Sequence, residues 1–237
     1  MKISIVVPAY NEEKYIGDCL QSIAANRTDD ILEIIVIDNA STDATAATAE
    51  RFPGVRVMRE PQKGLTRARQ RGLMEAKGDL IAYLDADTRM PPGWVARVEK
   101  EFARRPKMVS LSGPFHYYDL PPFKKFLAEG LWFLTAMPTY WLIGFMVLGA
   151  NFVAKREALL QIGGFDTTIA FYGEDTNIAW RLSKAGAVRF DMRFFILGSG
   201  RRLLEEGIAS TFWRYAMNYF STALYHKPLT KQYKDIR

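Results

Sequence analysis

Short apolar runs punctuate the first half of the chain, and each gives way to polar or turn-forming residues. Ile3 to Val7, Glu33 to Ile37, Val55 to Met58 and Leu80 to Leu84 are brief and rich in β-branched residues, which predicts buried strands. Between them, Glu12 to Ala25, Thr42 to Arg51 and Thr66 to Ala76 read as helices. Ser41 or Thr42 is available as N-cap of the second, and Lys77-Gly78 supplies stop chemistry for the third. Strands alternating with helices predict an α/β fold, with a mostly parallel sheet covered on both faces.

The second half is less regular. Pro91-Pro92-Gly93 predicts a helix running to about Arg104, Met108 to Leu111 a strand, and Pro121-Pro122 the start of an aromatic, apolar stretch. From Gly130 to Ala154 there is no charged residue, a run long enough to cross a bilayer. Pro138 interrupts it, however, Thr135, Thr139, Tyr140 and Asn151 dilute it, and Leu148 to Val153 reads as a core strand. The expectation is a buried or interfacial helix. No internal repeat or low-complexity linker divides the chain.

Composition narrows this little. A length of 237 residues, 49% hydrophobic and 24% charged, suits one domain with a full core. A net charge of +6 favours anionic partners such as phosphates, nucleic acid or an acidic membrane surface. The basic residues are scattered, with local groups at Arg67, Arg69 and Arg71, at Arg104, Arg105 and Lys107, and at Arg201 and Arg202, so no nucleic-acid partner is expected. Cys19 is the only cysteine, which excludes an intrachain disulfide and a cysteine-based zinc site. Asn11-Glu12-Glu13 cuts off the first apolar run too early for a secretory signal, so the cytosol is the expected compartment.

Candidate chemistry collects where strands end. Asp85-Ala86-Asp87 closes the fourth strand, and carboxylates two residues apart leave a strand on the same side, at the carboxyl edge where open α/β sheets bind ligands. Hard oxygen donors there suit Mg²⁺ or Mn²⁺ bridging to phosphate, although a solvated turn collects the same residues. At the first strand's exit, Pro8-Ala9-Tyr10-Asn11-Glu12-Glu13 offers Tyr10 to a flat base, or simply an acidic helix start. Asp38 ends the second strand, facing a base or ribose or capping the next helix. Gly64 precedes the helix carrying Arg67, Arg69 and Arg71, of which at most one or two share a face toward a phosphate. Gly163-Gly164-Phe165-Asp166 comes before Gly173-Glu174-Asp175, which opens a helix with the apolar face Ile178, Ala179, Leu182 and Ala185. Carboxylates in a first turn complement the dipole, and the same position suits a general base facing a cleft.

Taken together these segments resemble, in order, the family 2 glycosyltransferases of the GT-A fold, from about Lys2 to Arg202. The elements that carry the likeness are Val7 to Glu12, Ile37 to Asp43, Gly64 to Gly72, Asp85-Ala86-Asp87, Gly163 to Asp166, and Gly173-Glu174-Asp175 followed by Arg181-Leu182. The resemblance implies one GT-A domain over 1–237: a nucleotide-sugar half over about 1–112, an acceptor half over about 113–202 and a C-terminal helical tail over about 203–237. It implies that Pro8, Ala9, Tyr10, Glu12 and Ala86 line the nucleotide pocket, that Asp38 contacts the base and that Arg69 approaches the base or diphosphate. Asp85 would hold the ribose or a metal-bound water, Asp87 would ligate Mn²⁺ or Mg²⁺, and Asp175, assisted by Glu174, would be the catalytic base of an inverting displacement.

One departure concerns the metal. Many members place a histidine or another metal-binding side chain after the Glu-Asp helix, whereas Phe194 to Arg202 contains none. The cation is then expected to rely on Asp87, diphosphate oxygens and water, with His116 and His226 as ordinary histidines and Arg201 or Arg202 assisting the diphosphate from a closing loop. A UDP-sugar donor is expected on family grounds, with a saccharide or lipid-linked acceptor. The stretch after Pro122 and the tail Phe212 to Phe220 combine aromatic with basic residues, which suits peripheral membrane contact, although packing together into the core or a homodimer interface is the preferred expectation. Rival readings are a nucleotidyltransferase, which would show a glycine-rich basic loop after the first strand, and a non-catalytic nucleotide-sugar-binding subunit.

Overall fold

The protein was analysed as a computed structural model that describes residues 1–230. The four expected strands form: β1 (Ile3–Ala9), β2 (Ile31–Asp38), β3 (Val55–Arg59) and β4 (Leu80–Leu84). They pair in parallel in the order β3-β2-β1-β4, so the chain crosses to the other side of β1 when it enters β4. The rungs between β1 and β4 stop at Val6 and Tyr83, while β1 stays paired with β2 as far as Ala9 and Asp38. The carboxyl edge therefore opens between β1 and β4, at the point where strand order reverses.

Three further strands complete this sheet: β6 (Met108–Ser112), β8 (Asn151–Lys155) and β9 (Ala187–Phe190), in the order β4-β8-β6-β9. β8 runs antiparallel to β4 and pairs Asn151 with Leu84, so its first residues lie at the same edge as the end of β4. Three short strands make a second sheet: β5 (Thr88–Arg89), β7 (Phe115–Tyr117) and β10 (Ile196–Gly198), with β10 in the middle. Both halves of the chain thus share one central sheet, whose strands are covered on either face by a separate hydrophobic cluster.

The helices form where expected, with shifted ends. α1 spans Ile16–Ala25, not from Glu12, because the Glu12 N–H is taken by Thr45 Oγ1 at 2.7 Å and residues 12–15 form a turn. α2 is only Thr45–Ala49, and neither Ser41 nor Thr42 caps it. Ser41 Oγ accepts from the Asn11 N–H, the Thr42 N–H goes to Asn11 Oδ1, and Asp43 Oδ1 accepts the Thr45 N–H instead. α3 spans Leu65–Glu75, and its end is set by Ser4, whose Oγ accepts the N–H of Lys77 and of Gly78. α4 spans Trp94–Arg104, α6 Arg156–Gln161, α7 Glu174–Ser183 and α8 Arg201–Glu206.

Two long helices belong to the second half of the chain. α5 (Pro122–Ile143) contains Pro138 and buries only Ala128 and Ala136 fully, and α9 (Ile208–Tyr225) buries Thr211, Asn218, Ser221 and Thr222. No helix among the described residues is long and apolar enough to cross a membrane. Packing into the core is not the fate of their outer faces: Leu134, Trp141 and Leu142 of α5 are 71%, 74% and 82% exposed. The end of the expected C-terminal tail, residues 231–237, lies outside the described residues.

Candidate active site

A cavity of about 360 Å³ opens at the carboxyl edge of the large sheet and runs outward between α5 and α9. Pro8, Ala9, Tyr10 and Glu12 from the exit of β1, and Asp85, Ala86 and Asp87 from the exit of β4, line one wall. Glu174 and Asp175 from the first turn of α7 line the other, with Arg69 of α3 between them. Asp38 does not line the cavity; it is buried at the end of β2 and accepts the Ser41 N–H at 3.3 Å, while its neighbour Asn39 reaches the cavity wall.

Arg69 organises the carboxylates. Its side chain is 2% exposed and places Nη1 at 2.9 Å from Asp175 Oδ1 and 3.8 Å from Glu174 Oε1, and Nη2 at 3.3 Å from Asp85 Oδ1. The guanidinium expected to approach a base or diphosphate thus faces three acids of the site. Burial works against its charge, and Asp175, Asp85 and Glu174 outweigh that, holding it protonated. Arg67 and Arg71 turn elsewhere, to Gln62 and Glu75.

The second oxygen of Asp175 is fixed too: Gly149 donates its N–H to Oδ2 at 2.7 Å. Gly149 arrives on the segment that feeds β8, and only glycine fits there, because a Cβ would stand 2.2 Å from both Arg69 Nη2 and Asp175 Oδ1. Sequence reasoning missed this residue, since Leu148-Gly149-Ala150 lies inside an uncharged run that shows nothing beyond burial. Burial raises the Asp175 carboxyl, with Arg69 opposing. Burial and the neighbouring Asp175 push Glu174 up to about 8, so both carboxyls of the pair are displaced upward while Arg69 opposes.

The backbone leading to α7 is strained. Tyr172 has φ 33°, and Gly173 has φ 87° with Thr222 Oγ1 2.4 Å from where a Cβ would be. A buried non-glycine residue at positive φ persists only where its surroundings hold it, and such residues cluster at functional sites. The Gly163-Gly164-Phe165 motif serves as that support: Gln70 Oε1 accepts the Phe165 N–H at 2.8 Å, Arg181 donates to the carbonyls of Ile162 and Gly164, and Thr66 Oγ1 donates to the Ile169 carbonyl.

Opposite, Arg201 reaches in from the segment after β10. It pairs with both oxygens of Glu12, at 2.9 and 2.5 Å, and Nη2 lies 3.0 Å from Asp87 Oδ2. Asp119 steadies this segment by accepting the Gly200 N–H and the Ser199 hydroxyl. At the exit of β1, the Lys63 ammonium sits 3.8 Å from the centre of the Tyr10 ring. His116 is held by Glu129 and the Phe195 ring, and His226 stacks on Trp180, both as ordinary histidines.

No cluster of three or more His, Cys, Asp or Glu side chains suited to a metal is present among the described residues. Asp85 and Asp87, two residues apart at the end of β4, put two hard carboxylate donors side by side on the cavity wall, too few for an all-protein cage but suited to a hard divalent ion that keeps water ligands. The donor set fits Mn²⁺ or Mg²⁺ in that mode.

Comparison with known proteins converges on one family. The family model for glycosyl transferase family 2 matches residues 4–163. The dolichol-phosphate mannosyltransferase of Pyrococcus furiosus is 34% identical over 96 residues, 39% of this chain and 27% of that protein. The chain spans little more than a quarter of the length of the curated relatives it matches first. Among solved structures, a mannosyltransferase from Pyrobaculum calidifontis in complex with GDP-mannose and Mn²⁺ superposes with TM-score 0.70 at 21% identity, over 95% of this chain and 63% of that one. Glucosyl-3-phosphoglycerate synthase from Mycobacterium tuberculosis, with Mn²⁺, UDP and phosphoglyceric acid, superposes with TM-score 0.65 at 22% identity, over 94% of this chain and 78% of that one. The fold is that of the GT-A glycosyltransferases.

Proposed function

The chain belongs to glycosyl transferase family 2, and from that membership we propose that it moves a sugar from a nucleoside-diphosphate donor, a UDP-sugar by preference, to the hydroxyl of a lipid-linked or other saccharide acceptor, with inversion. The observation that carries this reading is that one cavity joins Tyr10, Asp85 and Asp87 on one wall to Asp175 on the other and then continues into an apolar trough.

Each residue has a task in that scheme. Tyr10 stacks on the base once Lys63 leaves its face. Asp87, with Asp85 behind it, would hold the divalent ion, which when bound offsets charge on a departing diphosphate. Arg201, already on Asp87 and Glu12, is placed to turn toward the diphosphate oxygens. Asp175 accepts the proton of the attacking hydroxyl, and its burial-raised basicity suits it to work at neutral pH. Glu174, raised by burial and by Asp175, stands beside it, 3.8 Å from the same Arg69 guanidinium. A single displacement needs no covalent intermediate, so attack from the face opposite the diphosphate inverts the anomeric carbon.

The acceptor side is lined by Leu131, Trp132, Ala136, Phe212, Ala216 and Tyr219, which favours a lipid-linked acceptor. Calorimetric titration of UDP and GDP, with and without Mn²⁺, tests the donor half of the reading. Metal-dependent binding of one nucleotide that Asp87→Ala abolishes is the expected result; binding of neither under any metal condition overturns the donor assignment.

A further inference from the structure

The outer faces of α5 and α9 carry apolar side chains that none of the described residues covers. On α9, Trp213, Met217, Phe220 and Leu224 follow one another at three- and four-residue steps, and all four are exposed. On α5, Phe123, Leu127, Leu134 and Trp141 form a second stripe at helical spacing, equally exposed. The inner faces of the same two helices line the cavity that holds Asp175, and Phe220 belongs to both the α9 stripe and the cavity wall. Phe220 therefore puts the α9 stripe at the rim of the cavity, and the α5 stripe lies on the outer face of a helix that lines it. Contiguous exposed apolar surface on this scale marks an interaction site.

We propose that the two stripes seat the protein on an anionic lipid bilayer, with the mouth of the cleft turned toward the membrane. This deepens the reading of the protein as a transferase with a lipid-linked acceptor, and rests on it.

Charge selects the bilayer. The charged residues of the two helices are Lys124, Lys125, Glu129 and Arg214, and Lys227 follows just beyond α9. The single acid is turned away from solvent partners: Glu129 accepts the Tyr117 N–H and pairs with His116 and Lys125. Arg214 is held by Glu206 and Tyr172. The stripes themselves carry no charge and are flanked by lysines, with tryptophan and tyrosine at their margins, the composition of helices that lie in the headgroup plane of an anionic leaflet. A second copy of the chain seated on both stripes would close the mouth and shut the acceptor out. A bilayer there delivers a lipid-linked acceptor along the apolar wall to Asp175.

The test is flotation of the full chain with vesicles of phosphatidylcholine alone or mixed with phosphatidylglycerol, for wild type, Trp141→Glu and the pair Leu134→Glu and Trp213→Glu, none of which lines the cavity. Circular dichroism checks the fold of each variant, and UDP titration is run alongside. Wild type is expected to float with the anionic vesicles, with a blue shift of its tryptophan emission, and each folded variant to lose at least tenfold in bound fraction. No flotation of wild type with either vesicle overturns the proposal, as does flotation that the substitutions leave unchanged. A dimer in solution that Trp141→Glu dissociates, without flotation, assigns the surface to a second copy. UDP binding without flotation refutes docking alone, and flotation without UDP binding refutes the donor reading alone. The emission shift of the wild type needs no variant and decides the matter if the variants fail to fold.

Discussion

Two regions of the cleft, the acid-lined sheet side that includes Asp175 and the helix-lined side, have opposite chemistry. On the sheet side, each acid of the site is matched to a cation: Arg69 faces Asp85, Glu174 and Asp175, and Arg201 faces Glu12 and Asp87. On the helix side, α5 has no charged residue after Glu129 and α9 has only Arg214. Buried charges are tolerable only when paired and hydrogen-bonded, so the sheet side is directional and intolerant of displacement. Apolar contact is non-directional and scales with area, so the helix side accepts a ligand by surface rather than by orientation. In the proposed reading, reaction chemistry belongs to the sheet side and acceptor capture to the helix side.

The sharpest way to break this comparison is at the base. Asp175→Asn keeps the shape but cannot accept the proton, and turnover is expected to fall by roughly 10²–10⁴-fold while UDP affinity holds, measured by initial rates and calorimetry. Next, Gly149→Ala forces a methyl against Arg69 and Asp175 while leaving both residues chemically unchanged. A displacement of about an ångström there is expected to cost on the order of 10²-fold in kcat. If this variant turned over normally, the claim that the sheet side depends on geometry would fail.

A paired substitution then separates the two sides. Tyr10→Ala removes the stacking face and should weaken UDP by about 1–3 kcal/mol, the range for a base on an aromatic ring. Leu131→Glu on the helix side should leave UDP affinity alone and raise the KM for a lipid-linked acceptor. An equal effect of both on UDP would erase the distinction between the two sides.

The smallest effect concerns Glu174, whose carboxyl is raised to about 8. At pH below the usual carboxylate range it is protonated in the folded and unfolded chain alike. Between that range and pH about 8, the unfolded chain loses the proton and the folded chain keeps it. Stability therefore falls as pH rises through this window and levels off above it. Glu174→Gln should flatten that slope in a series of melting temperatures against pH, with little change at low pH.

Much of this was legible in the chain. The four parallel strands declared themselves as short β-branched runs with turn residues after them, and the carboxylates at Asp85, Asp87, Glu174 and Asp175 stood at their ends or at a helix start. The three-residue strands β7 and β10 left no such trace, because they are held by pairing with each other and with β5 rather than by an apolar run of their own. The second helix looked longer than it is, since Ser41 and Thr42 have the chemistry of caps but serve Asn11 instead. The apolar stretch after Pro122 announced a helix and not its outward face, because hydropathy does not say whether a surface finds a partner.

By itself the sequence determined the local elements and the kinds of atoms that would meet a ligand, because strand, helix and turn preferences depend on near neighbours. Only the tertiary structure decided which groups meet. Arg69 finds Asp175 across 106 positions, Glu12 finds Arg201 across 189, and Gly149 is brought to Asp175 by the antiparallel run of β8. Those encounters follow from the order in which strands join the sheet and from which loops that order gathers at one edge. No period or propensity along the chain records that order.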